Sequence, residues 1–259
     1  MEAEIPPSLV CWVGVSELAQ VRAEMTQLQG ASGHLPERDW QHRAYRVVRF
    51  LVEGVSRGIF GLKFELEDEL PLGSFVLAPV HRSNIDTLLV ASLTKRRLCY
   101  IGKETVFKFP VFGGFLRALG GIPLNRDAAD RDALKKSVEV LGTGEPLVVF
   151  PEGQRRFGDK VFDLHEGAAY LAIRANVPIV PVGIAGTEKI WPKGRKFPLP
   201  GKSYMIAGPA LFPDSSGGAK EITDKRTKTV SRRAVSELNS KLEAELQRLY
   251  DQAQSKLES

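Results

Sequence analysis

Two cysteines in 259 residues, Cys11 and Cys99, leave the chain without a disulfide framework, and neither pairs with a nearby histidine or cysteine at zinc-ligand spacing. A reducing compartment is therefore expected, and no metal is implied. Histidine is scarce too: four copies, at positions 34, 42, 81 and 165. No apolar run reaches the roughly 18 residues of a spanning helix, and the opening MEAEIPPSL is acidic where a secretory leader would be basic. We expect a soluble or membrane-surface protein. There is no internal repeat, and no linker divides the chain.

Against these absences, hydrophobic residues make up 43% of the chain and charged residues 26%. Those shares are near the globular averages and exclude global disorder. The formal charge is +5, with basic clusters at KRR (95–97), RR (155–156), KGRK (193–196), KRTK (225–228) and RR (232–233). Such a surface suits nucleic acid, anionic lipid or a phosphorylated substrate, or is simply a solvated face. Charge by itself does not choose among them.

The hydrophobic pattern predicts an α/β fold with a mostly parallel central sheet covered by helices, preceded by an N-terminal helical segment. Within residues 1–60, SELAQVRAEMTQL reads as a short helix and GASGHLPE as a loop. The stretch 40–60 then reads as an amphipathic helix, with Trp40, Tyr45, Val48, Val52 and Val55 on its apolar side and Arg43, Arg46, Arg49 and Arg57 among its polar positions. A helix of that kind caps a core or lies on an anionic membrane. Residues 61–259 form the α/β domain. Its strands are expected at 62–67, 75–80, 98–102, 121–124, 146–150, 177–184 and 203–208, and helices at 84–96, 129–142 and 165–175. The polar stretch 212–229 reads as a loop. Val235, Leu238, Leu242, Leu246, Leu249 and Ala253, at spacings of three and four, mark one face of a C-terminal helix.

The segment VHRSNIDTLLV (80–90) puts His81 where a strand ends and a helix begins, the place where open α/β sheets bind ligands. In a continuous helix, His81 and Asp86 would point well apart, so they need a turn between them. Ser83 or Asn84 is expected to cap the helix, leaving Asp86 in its first turn. The carboxylate then fixes the imidazole tautomer, so that the other ring nitrogen takes a proton from an alcohol. The alternative is that His81 closes a strand and Asp86 complements the helix dipole. Two further strand ends bear on the choice. GGIPLNRD (120–127) places Arg126 after one, and VVFPEGQRR (148–156) places Glu152, Gly153 and Arg155 after the other. Between them lies KETVFKFPVFGGFLRALGG (103–121), whose Phe107, Phe109, Phe112 and Phe115, with Lys103 and Lys108 among them, pack in a core, line an apolar tunnel or dip into a bilayer.

The succession HX4D, IPLNR, FPEGQR and VPIVPV, over residues 81–182, resembles the glycerolipid acyltransferase family, most closely the 1-acylglycerol-3-phosphate acyltransferases. Val80 stands where many members have asparagine, and Gln154 where many have a small hydroxyl residue. The resemblance implies transfer of an acyl group from acyl-CoA or acyl carrier protein, with no cofactor, to lysophosphatidic acid, giving phosphatidic acid in phospholipid synthesis. On that basis His81 is the general base and Asp86 its orienter. Arg126 and Arg155 bind the substrate phosphate, and Glu152 and Gly153 shape the acceptor pocket. The expected setting is peripheral, at the anionic cytoplasmic face of the cell membrane. Glycerol 3-phosphate is the alternative acceptor. A non-catalytic lipid-binding protein is the rival from another class, and a nucleic-acid module leaves the strand-end motifs unexplained.

Overall fold

A computed structural model describes residues 39–103, 121–124, 131–161, 163–192, 194–213 and 230–259, with backbone alone at 39–48, 102–103, 122–124 and 131–132. Helix α1 (Asp39–Gly58) leads into β1 (Leu62–Leu66) and β2 (Val76–Pro79). A short α2 (Asp86–Val90), tightening to a 3-10 turn at Ala91–Leu93, precedes β3 (Cys99–Lys103) and β4 (Gly121–Leu124). Then follow α3 (Arg131–Gly142), β5 (Leu147–Val148), α4 (Gly167–Ala175), β6 (Ile179–Ala185), α5 (Thr187–Ile190), β7 (Ser203–Ala207) and α6 (Arg232–Glu258).

The seven strands form one sheet in the order β1-β7-β6-β2-β5-β3-β4. All neighbours are parallel except β6 and β7, so β1 and β7 run against the other five. The sheet is thus mostly parallel, as expected. Every residue of β2 and of β6 is buried, because central parallel strands are covered on both faces and must be apolar on both. Edge strand β1, LKFEL, instead alternates between buried and wetter positions. Helix α4 stops at Asn176, whose φ of 54° gives the left-handed cap that asparagine tolerates. Asn176 and Val177 N–H groups then satisfy the carbonyls of Ile173 and Ala172.

Each of the six apolar positions read as the face of the C-terminal helix is buried in α6, together with Tyr250. The helix packs across β6 and β7. Its backbone comes so close that a Cβ at Gly183, in the middle of β6, would lie 2.3 Å from the carbonyl carbon of Leu249. At the other side of the fold, α1 contacts α2, the 3-10 turn and β1 within the compact unit Arg38–Ser259. Among the described residues no helix is long and apolar enough to cross a membrane. The helix read at SELAQVRAEMTQL, the phenylalanines of 103–121 and nearly all of the 212–229 loop lie outside the described residues.

The strand order determines which loops meet. Strand β2 is flanked by β5 and β6, both parallel to it, so the turn after β2 and the loop after β5 emerge side by side at the carboxyl edge. Strand β4 is at the far edge, three strand spacings or about 14 Å from β2.

The Gly183 contact offers a direct check on the fold. Gly183→Ala forces a methyl into the Leu249 backbone and should cost about 1–3 kcal/mol or more, seen as a lower urea midpoint. Alanine at solvent-facing Gly144, where a Cβ meets nothing within 4 Å but φ is +88°, should be milder, near the roughly 1 kcal/mol scale of backbone strain.

Candidate active site

Val80 extends the β2 ladder by one bond, its N–H donating to the Val182 carbonyl at 3.0 Å, and the chain then turns at His81. The turn is built on one oxygen. Oδ2 of Asp86 accepts the backbone N–H groups of Arg82 and Ser83, each at 2.7 Å, and lies 3.0 Å from His81 Nδ1. A carboxylate is a stronger acceptor for these N–H groups than a hydroxyl or amide oxygen. The expected cap by Ser83 or Asn84 is accordingly absent. No side chain caps α2 at Ile85; Ser83 Oγ donates to the Trp191 carbonyl at 3.1 Å, and Asn84 is exposed. The acid itself ties the turn, from the first residue of the helix.

With Nδ1–H directed at the buried Asp86, the tautomer consistent with this geometry leaves Nε2 unprotonated. The ring is braced by Phe150, with centroids 4.2 Å apart and planes tilted by 31°, and its side chain remains 16% exposed. It can therefore meet a ligand without being free to wander.

The main chain of His81 is held from the neighbouring loop. Its N–H donates to Glu152 Oε2 at 2.6 Å, and its carbonyl accepts from the Arg156 N–H at 2.9 Å. The other Glu152 oxygen, Oε1, accepts from Arg82 Nη1 at 2.6 Å. Glu152 is 0% exposed and Arg82 1%. The guanidinium also donates to the Lys160 carbonyl at 3.1 Å and lies 4.7 Å from the centroid of the Tyr250 ring on α6. Burial works against the guanidinium charge, but Glu152, by charge and hydrogen bond, and Tyr250 outweigh it and hold the Arg82 pKa above its usual value. Burial pushes the Tyr250 hydroxyl up as well. Both groups keep their ordinary charge states.

The resemblance implies that Glu152 and Gly153 shape an acceptor pocket; the structure gives the contacts that hold each in place. Both Glu152 oxygens are committed, one to the His81 backbone and one to Arg82, so the carboxylate supports the base from below. Gly153 sits at φ +65°, where a Cβ would lie 2.5 Å from His165 Cδ2, and its N–H closes a tight turn on the Phe150 carbonyl at 3.0 Å. Arg155 follows in that loop, half-buried, while Arg156 reaches Asp163 at 3.6 Å. Arg126 lies outside the described residues. His81, Asp86, Glu152, Gly153 and Arg155 are thus brought to one edge of the sheet.

Arg82 and Tyr250 were missed. Arg82 sits between the two motif residues and carried a faint signal as a cation just past an apolar strand. Tyr250 falls beside Leu249 on the α6 stripe and reads as core.

This arrangement can take a proton from a hydroxyl: Nε2 accepts, and Asp86 stabilises the resulting imidazolium. Other nucleophiles are poorly placed among the described residues. Burial pushes the Cys99 thiol up to about 11, and the Ser83 hydroxyl is engaged with a carbonyl.

The comparisons with known proteins agree with this chemistry. Residues 61–185 match the family model described as acyltransferase. Over 116 residues, 44% of the chain, it is 33% identical to a chloroplastic 1-acyl-sn-glycerol-3-phosphate acyltransferase of Brassica napus, covering 33% of that protein. Over 187 residues, 71% of the chain, it is 27% identical to the 1-acyl-sn-glycerol-3-phosphate acyltransferase of Bacillus subtilis, covering 90% of it. The chain spans about a third to a half of the length of several plant and algal relatives. Among solved structures, the 1-acyl-sn-glycerophosphate acyltransferase PlsC of Thermotoga maritima shares the fold, with a TM-score of 0.60 and 23% identity over 90% of this chain and 92% of that one.

The buried pair makes a measurable demand on stability. Arg82→Met strands the Glu152 carboxylate without its cation and should cost about 3–5 kcal/mol in urea denaturation. Adding Glu152→Gln removes the stranded charge and should recover part of the loss, a coupling that independent surface residues would not show.

Proposed function

We propose that this chain, whose residues 61–185 match the acyltransferase family model, moves a fatty acyl group from a thioester to the free hydroxyl of 1-acylglycerol 3-phosphate, yielding phosphatidic acid. The observation that carries the reading is the His81 Nδ1 to Asp86 contact of 3.0 Å at a sheet edge, with the ring partly exposed. The activity for which the relatives are named supplies the acceptor.

In this mechanism His81 Nε2 takes the proton as the hydroxyl oxygen attacks the thioester carbonyl carbon. Asp86 stabilises the imidazolium that forms. The tetrahedral oxyanion collapses, the carbon–sulfur bond breaks, and the imidazolium returns its proton to the departing thiolate. No covalent enzyme intermediate and no cofactor are needed. Glu152 and Arg82 keep the His81 backbone in register. Arg155, in the adjoining loop, and Arg126 bind the acceptor phosphate, for which a planar guanidinium offers paired donors. The donor is acyl-CoA or acyl carrier protein.

Membrane-borne substrates call for a membrane-facing surface, and α1 supports one. Its outer side exposes Phe50 (74%), Leu51 (59%) and Val55, and Ile59 just beyond its end is exposed too. Among its described side chains, Glu53 receives Arg49 and Arg57, each at 3.1 Å. Ser56, not an apolar residue, is buried. An apolar side turned outward suits peripheral attachment to a bilayer, here the cytoplasmic face of the cell membrane.

Three measurements test the proposal. His81→Ala should fold normally by circular dichroism and lose transfer by about 10²- to 10⁴-fold, and Asp86→Asn should be severely impaired. Near-normal turnover by folded His81→Ala overturns the assigned base. Arg155→Ala should raise the KM for lysophosphatidic acid by about ten- to a hundredfold, as expected for losing a charge-assisted hydrogen bond, and leave the KM for acyl donor nearly unchanged. Product analysis with lysophosphatidic acid and glycerol 3-phosphate, against acyl-CoA and acyl carrier protein, identifies both substrates. Failure of the purified chain to acylate either acceptor sinks the reading.

A further inference from the structure

The basic cluster at KGRK has no part in the chemistry above, and its place in the fold gives it one. We propose that the loop from Trp191 to Lys202 is a second contact element for an anionic bilayer, continuous with the outer side of α1 and fastened to the turn that carries His81. This rests on the membrane attachment proposed above and adds the residues that select lipid charge.

Phe197 is 75% exposed at the loop's crest, with Arg195 and Lys196 exposed just before it and Leu199 and Lys202 exposed after it. An exposed aromatic ring flanked by cations fits the boundary between headgroups and acyl chains: the ring enters the apolar layer, and the cations stay among the phosphates. Arg195 and Lys196 have no ion pair among the described residues. Pro198 and Pro200 restrict the backbone around Leu199, so the crest loses little freedom on contact.

The loop is a built structure. Trp191 Nε1 donates to the Arg195 carbonyl at 2.9 Å, the Arg195 N–H to the Pro192 carbonyl at 3.2 Å, and the Leu199 N–H to the Ile190 carbonyl at 2.8 Å. Its far end meets α1, where the Gly201 N–H donates to the Ile59 carbonyl at 3.1 Å. Ile59 is itself one of the exposed apolar residues on that side. The exposed apolar residue just past the end of α1 is therefore bonded to the end of the loop. The near end meets the active-site turn, since the Trp191 carbonyl accepts from Ser83 Oγ at 3.1 Å. One loop joins the lipid-facing surface to the base. A nucleic acid would use the cations and leave Phe197, Leu199 and the adjoining α1 residues without a role.

The test uses the full chain and vesicle flotation, with phosphatidylcholine alone or mixed with phosphatidylglycerol. Wild-type protein should float better with the anionic mixture, and salt should weaken that preference. At about fivefold for each basic residue near the surface, Arg195→Glu with Lys196→Glu should cut partitioning onto anionic vesicles by at least about 25-fold. Phe197→Ser should weaken binding to both vesicle types. Turnover of a short-chain, water-soluble acceptor should stay at the wild-type level in all these variants, while turnover of long-chain acceptor in vesicles falls with binding. If wild-type protein floats and the loop variants float equally well, the loop proposal is overturned and attachment through α1 stands. If wild-type protein does not float, both fall. Loss of turnover on the soluble acceptor would instead show that the loop shapes the site, and would overturn the proposal too.

Discussion

A single buried carboxylate, Glu152, joins the two loops that make the site. One oxygen takes the backbone N–H of His81 and the other takes the Arg82 guanidinium, so the end of β2 and the loop after β5 are fastened by the same group. Desolvating that charge is costly, and the cost is offset only because both oxygens have partners of good geometry. Weaken either bond and the histidine loses its height above the sheet. Asp86 then loses its target, because its oxygen reaches Nδ1 only while the turn keeps its present shape.

The two acids divide the work by where they point. Asp86 approaches the ring and sets the proton; Glu152 approaches the main chain and sets the position. They differ in partners more than in burial, since both are fully enclosed. The two acids, read from separate motifs, thus supply an electrostatic part and a structural part of the same site. The division also explains the stretch of paired charge running inward from the site to Tyr250, which would otherwise be an odd choice for the centre of a domain.

Much of the architecture was legible in the pattern of residue types. The runs at 75–80 and 177–184 announced central strands because burial on both faces leaves no room for polar residues, and the stripe from Val235 to Ala253 announced the α6 face because only one side of that helix is covered. The reversal of β7 was not legible, since strand partners are set by tertiary packing, not by any local period. The helix read at 84–96 is broken into five residues and a 3-10 turn before Thr94 turns extended. At the site, His81 and Asp86 were readable because five residues with a turn between them bring two side chains together. The cap was misassigned because Ser83 has a better use 108 positions away, at Trp191. Arg82, and its pairing with Glu152, escaped for the same reason: their meeting depends on which strands are neighbours.

The Arg82–Glu152 pair spans 70 positions, and its outer wall, Tyr250, comes from a helix farther still along the chain. Contacts of such separation form late, after the local helices and the first strand pairings have absorbed their loop-closure entropy. Until α6 docks across Gly183, the guanidinium has water on one side and the turn beneath His81 has nothing to press against. A nascent or partly opened molecule can therefore hold most of its sheet and still lack a working base. Competence arrives with the last long-range contact, which ties the proposed acyl transfer to complete folding.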